Sequence, residues 1–113
     1  MLKYGCGKKE IRIGDKTINF DYDILEVEEI GDIVLVVTEP VSGYNNNLFG
    51  ISVKTKRMWQ VQSVKEMYPD FSQTSYVGIT ISDNAVIVTD FCGCRFVINP
   101  ENGVVLGRTT ETK

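Results

Sequence analysis

The sequence predicts a mainly β domain of antiparallel sheets, with a single short helix. Three observations predict it. Almost every segment either alternates apolar and polar residues or is a short β-branched run. A strand, a loop, and a strand–turn–strand unit occur twice. Only Ser63-Val64-Lys65-Glu66 carries a helix-start signal. The 113 residues fit one domain, 1–113, with repeat-like halves at about 31–62 and 83–108. Roughly ten short strands are expected, packed as a sandwich or as a blade-like pair of sheets.

The elements follow in order. Glu10-Ile11-Arg12-Ile13 alternates, and Gly14-Asp15 suits a turn. Thr17 to Ile24 alternates strictly, so Ile18, Phe20, Tyr22 and Ile24 are expected to face inward along one strand. The apolar phase then slips to Leu25 and Val27, which predicts a bulge or bend, with Glu26 and Glu28 on the outer side. Ile33-Val34-Leu35-Val36-Val37 and Ala85-Val86-Ile87-Val88 are continuously apolar, as strands covered on both faces are. They precede the paired units: Val37-Thr38-Glu39 leads to Phe49-Gly50-Ile51, and Val88-Thr89-Asp90 leads to Phe96-Val97-Ile98. Phe49 and Trp59, with Phe96 and Leu106 as their counterparts, fall at inward positions. Tyr76 to Ile81 and 85–90 form a hairpin about Ser82-Asp83-Asn84. The capping box predicts a short helix near residues 63–68, limited by Pro69. Residues 40–47 and 69–75 read as loops, and the polar tail after Gly107 as a fraying end.

Composition closes several routes to function. The chain has no histidine, so Ser-His-Asp and Cys-His nucleophile systems, HExxH zinc chemistry and histidine acid–base work are impossible. No catalytic set, metal site or cofactor is expected, and an enzyme is the least favoured class. Three cysteines, Cys6, Cys92 and Cys94, make a poor disulfide framework and an incomplete zinc site. They read as small side chains beside a tight turn at Gly93, with a Cys6–Cys92 or Cys6–Cys94 disulfide as the alternative. No apolar run reaches the ~20 residues of a membrane span, and no secretory signal is visible after Met1, so a cytoplasmic location is the expectation.

Charge is the most suggestive property. The net charge is −3, yet residues 1–20 are basic on balance. The next stretch carries Asp21, Asp23, Glu26, Glu28, Glu29 and Asp32 with no basic residue. Nucleic acid wants a basic face, and a basic protein partner matches this chain better. These six acids are the candidate partner-binding residues, read as one exposed face of a bent strand pair; the bland alternative is a solvated surface. Tyr44 and Asn45, in the loop Ser42-Gly43-Tyr44-Asn45-Asn46-Asn47, join them because tyrosine and amides on loops suit recognition.

Two resemblances bear on these expectations. Asn47–Gln60 and Arg95–Leu106 resemble the strand–turn–strand signature of quinoprotein-type β-propeller repeats, with Lys56 where that signature has glycine. The likeness is one of local hairpin pattern and implies none of the cofactor chemistry. In size, acidity and the closing Asn99-Pro100-Glu101-Asn102-Gly103 hairpin, the chain resembles immunity proteins of bacterial polymorphic-toxin and contact-dependent inhibition systems. That resemblance implies a non-enzymatic monomer or weak dimer that neutralises a cognate toxin domain with a basic surface, often a nuclease. The alternatives are a small-molecule or sugar-binding β module using Trp59 and the loops, or an assembly subunit.

Overall fold

The computed structural model describes residues 4–109, and the statements below concern those residues. It bears out the mainly β expectation, with eleven strands in three antiparallel sheets and one three-residue 3₁₀ turn. The first sheet is small: β1 (Gly5–Cys6), β2 (Glu10–Ile13) and β3 (Lys16–Asn19) in that order. The second is a meander of β4 (Ile24–Ile30), β5 (Ile33–Thr38), β6 (Leu48–Ser52) and β7 (Met58–Gln60). The third is a meander of β8 (Tyr76–Ser82), β9 (Ala85–Asp90), β10 (Arg95–Ile98) and β11 (Val105–Thr109).

The repeat proves to be a whole four-stranded sheet. Its register is read from the hairpin ends: Ile30 pairs with Ile33, and Ser82 with Ala85. Val36 pairs with Phe49, as Val88 pairs with Phe96. Phe49 and Phe96 are therefore true counterparts. In the preceding strand the verbal echo is one residue out: Thr38, not Glu39, corresponds to Asp90. Burial agrees, since Thr38 and Asp90 are both buried while Glu39 is exposed. The turns match as well. Lys56 adopts a left-handed φ of 61°, where Gly103 has 77°, and each amide donates to the carbonyl four residues back, Ser52 or Asn99, at 2.8 Å. Lysine thus takes up the backbone conformation that glycine adopts without cost.

Face assignment follows from strand alternation. Val34, Val36, Phe49 and Ile51 face the first sheet, where they pack on Ile11, Ile13, Ile18 and Phe20. The equivalent residues of the third sheet, Val86, Val88, Phe96 and Ile98, pack on the other face of the second sheet, at Ile33, Leu35, Val37 and Leu48. The two meanders are stacked head to tail, like face on unlike face. All six residues of β5 are buried because that strand is central and covered on both sides. The outer face of the third sheet ends the stack. Where the second sheet presents Val37 and Leu48 to a neighbouring layer, the third has Thr89 and Arg95.

Several local expectations need correction. The strand expected over 17–24 breaks after Asn19, and Asp21-Tyr22-Asp23 bend between two sheets. The bulge is present, with the register shifting between Ile24 and Glu26. Glu26 and Glu28, however, do not face outward. They lie opposite Val37 and Leu35 and so share the face turned to the third sheet, half-buried at its rim. Alternation identifies two faces, and here both are covered. The capping box does not close. The Ser63 hydroxyl accepts from the Lys65 amide at 3.3 Å, and the Glu66 carboxylate accepts from the Gln62 side chain, leaving a 3₁₀ turn at Val64–Glu66. Leu106 is 56% exposed; a register shift between Val97 and Ile98 sets Val105 opposite Ile98 and makes Val105 the buried residue. Trp59 lies half-buried over Gly50 and Gly103, and its ring N–H donates to the Pro100 carbonyl at 2.9 Å.

Candidate functional site

The candidate partner-binding residues do not form one face. They separate into two groups, with Asp23 between them. Asp23 is already paired, its carboxylate lying 3.5 Å from Lys8 and 4.0 Å from Lys9.

The first group follows β4. Glu26 and Glu28 point to the third-sheet side, Glu29 points to the first-sheet side, and Asp32 sits in the β4–β5 turn. From Glu26 to Glu29 the strand rises roughly 10 Å, and Asp32 follows in the turn. The Glu26 carboxylate accepts from the Ile79 amide at 3.3 Å, where β8 is bulged between Tyr76 and Gly78. Burial, then the neighbouring Glu28 carboxyl, hold the Glu26 carboxyl above the usual carboxylate range, against the opposing pull of the Ile79 amide. Burial, then the neighbouring Glu29 carboxylate, raise the Tyr4 hydroxyl above the usual tyrosine range. Asp32 accepts from the Ser52 hydroxyl at 3.3 Å. Among the described residues the ion pairs within 4.0 Å involve Asp23, Glu10 and Asp15, and none involves Glu26, Glu28, Glu29 or Asp32.

The second group is Asp21, Tyr44 and Asn45, of which Asn45 lines a cleft of about 490 Å³. Loop 40–47 supplies Pro40, Val41, Ser42, Gly43 and Asn45; the segment before β8 supplies Gln73, Thr74 and Ser75; the β9–β10 turn supplies Phe91. The loop is long but held. The Ser75 hydroxyl donates to the Tyr44 carbonyl at 2.8 Å. The Gln73 amide donates to the Asn46 side chain at 2.9 Å and the Asn45 carbonyl at 3.2 Å. Gln60 donates to the Asn46 carbonyl at 2.7 Å. Tyr44 itself packs on Tyr22 with ring centroids 5.2 Å apart, and burial, then Asp21, raise its hydroxyl above the usual tyrosine range. Asp21 is exposed beside that pair. No charged side chain lines the cleft, and Phe91 stands at its rim 71% exposed.

Sequence reasoning missed four residues here. Gln73, Ser75 and Phe91 lie in segments read only as loop or turn. Asn47 is the fourth. It is fully buried, and its side chain donates to the Thr38 and Tyr76 carbonyls at 2.7 and 2.8 Å while accepting from the Tyr76 amide at 2.8 Å. It acts as a one-residue strand joining the second sheet to the edge of the third. The available signal was its place directly before the apolar run of β6.

The three thiols are free, with Cys6 on β1, Cys92 exposed and Cys94 half-buried in the β9–β10 turn. That turn is organised by Asp90, whose Oδ1 accepts from the Cys92 and Cys94 amides at 3.0 and 2.8 Å. No cluster of three or more Cys, Asp or Glu side chains suited to a metal ion occurs among the described residues. Among the described residues, no helix is long and apolar enough to cross a membrane. No curated protein and no solved structure matches the chain. A family model described as a domain of unknown function (DUF7957) matches residues 1–110, and the chain belongs to that family.

Proposed function

We propose that this protein is a non-enzymatic module that binds another protein, an immunity protein that neutralises a cognate toxin domain with a basic surface. The observation that carries the reading is the run of carboxylates along β4. Glu26, Glu28, Glu29 and Asp32 have no ion-pair partner among the described residues, and Glu26 is held against Glu28 at a cost in charge repulsion. A cation brought by a partner relieves that repulsion, and such pairs give orientation and fast encounter more than raw affinity. Asn45 at the cleft, with Tyr44 and Asp21 beside Tyr22, supplies a second contact region. A cytoplasmic location belongs to the same proposal. The test is co-purification with, and titration against, the product of the neighbouring gene. Sub-micromolar binding that weakens with salt supports the reading; no binding at that level overturns it.

A second reading rests on the cleft. Its uncharged amides and hydroxyls with an exposed Phe91 suit a neutral polar ligand such as a sugar. Trp59 is not its anchor: it lines a separate hollow of about 400 Å³, beside Asp32, Arg57 and Glu101. Chemical-shift changes at Asn45, Gln73 and Phe91 on adding simple saccharides would favour it.

A further inference from the structure

The strand edges of this fold are treated unequally. An open edge presents unpaired amides and carbonyls, and proteins cover or shorten such edges. On β8, the Asn47 side chain takes both the amide and the carbonyl of Tyr76, and Glu26 takes the Ile79 amide. On β11, the Gln62 side chain accepts from the Val105 amide at 2.8 Å and the Tyr68 hydroxyl accepts from the Arg108 amide at 3.1 Å. In both places side chains substitute for a missing strand. The edges β1, β3 and β7 are two, four and three residues long.

β4 differs. It is seven residues long and lies at the end of the second sheet. Its first amide, Ile24, donates to the Lys8 carbonyl. Beyond that residue, no hydrogen bond among the described residues reaches its outer edge. Register shows which groups point there. Ile30 and Ile33 flank a two-residue turn and so form a hydrogen-bonded pair, as do Glu28 and Leu35 two residues on. Val27 and Glu29 therefore turn their amides and carbonyls away from β5. The side chains beside them are Glu26, Glu28 and Glu29, with Leu25 47% exposed at the bulge.

We propose that the outer edge of β4 receives an extended, basic segment of the partner protein as an added antiparallel or parallel strand. Backbone pairing with Val27 and Glu29 supplies the attachment, and lysine or arginine side chains on alternate positions, which share one face, meet the Glu26 and Glu28 carboxylates there. Charge decides the occupant. A second copy of this chain would set β4 acids against β4 acids, which disfavours self-pairing.

This inference rests on the protein-binding reading, and its test can fail separately. The probe is a synthetic, end-capped peptide of alternating lysine and threonine, matched in length to β4. A glutamate–threonine peptide is the control. The readout is backbone amide exchange and chemical shift in the full chain. The expected result is that the Val27 and Glu29 amides exchange freely in the unbound protein and become protected with the lysine peptide only. Glu29→Pro should weaken that peptide's binding at least tenfold relative to Glu29→Gln. Proline there removes an outward amide from an exposed position without touching the β5 ladder. Amides already protected in the free protein, equal binding of the two peptides, or equal affinity of the two variants would each overturn the proposal. A natural partner whose binding ignores Glu29→Pro overturns the edge while leaving the protein-binding reading intact. Should Glu29→Pro fold poorly, Val27 and Glu29 protection in the unaltered chain decides alone.

Discussion

Replacing Asn47 with alanine should be among the most damaging single changes to this protein. The side chain satisfies three backbone groups, the Thr38 carbonyl and the carbonyl and amide of Tyr76. Thr38 is 1% exposed and Tyr76 fully buried, so water does not reach them without local opening. A buried group left without a partner costs about 1–3 kcal/mol. Three such groups released together, partly relieved by relaxation, give a loss of roughly 3–5 kcal/mol. Domain stabilities are only about 5–15 kcal/mol, so much of the stability goes. The midpoint of thermal unfolding should fall by roughly 12–25 °C for a domain of this size. Urea unfolding followed by the fluorescence of Trp59, the single tryptophan, measures the loss directly. Asn46→Ala is the matched control. It gives up the half-buried contact with Gln73 and should cost under about 1 kcal/mol. The reasoning is refuted if Asn47→Ala costs no more than Asn46→Ala, since Asn47 would then not join the two sheets.

Other substitutions test separate parts of the account. Lys56→Gly removes a side chain from a left-handed position and loses only the exposed pair with Asp15, so stability should rise by up to about 1 kcal/mol in urea unfolding. Glu26 has a raised folded-state pKa, so its favourable contribution is present below the ordinary glutamate range and is lost as pH rises through the raised value. Glu26→Gln should therefore raise the unfolding midpoint at neutral pH, by less than about 1 kcal/mol given its partial exposure, and the gain should vanish at acid pH. A gain that persists or grows on acidification would contradict this. The Tyr76 hydroxyl is buried without a hydrogen-bond partner among the described residues, and burial, then Asp90, push it far above the usual tyrosine range. Tyr76→Phe should leave stability unchanged or raise it by up to about 1 kcal/mol, and a loss beyond that would reveal a partner for the hydroxyl.

What could be read from the sequence was local. Period and β-branching identified β5 and β9 as central strands, because a strand covered on both faces has no reason to alternate. The phase slip at Leu25 marked the bulge, and the turn residues marked both hairpins. Long-range packing was not legible. Whether Glu26 faces solvent depends on where β8 lies, fifty residues further on, and period two cannot report that. Ser63 and Glu66 have the spacing of a capping box, but Pro69 leaves too little chain for a helix, and Gln62 captures the glutamate instead. Asn47 looked like one more loop amide because its partners, Thr38 and Tyr76, come together only in the folded sheet stack. The same limit applies to the candidate site. Six acids in one stretch were visible, but the bend at 21–23 and the two covered faces of β4 divide them.

The most direct test of the central claim is a titration of the neighbouring gene's product against the unaltered protein and against the Glu26→Gln, Glu28→Gln, Glu29→Gln triple variant. At physiological salt, a partner held by the β4 carboxylates should bind the unaltered protein below micromolar concentration. It should bind the folded triple variant at least tenfold more weakly, with a shallower dependence on salt. Equal affinity and equal salt dependence for the two would contradict the account.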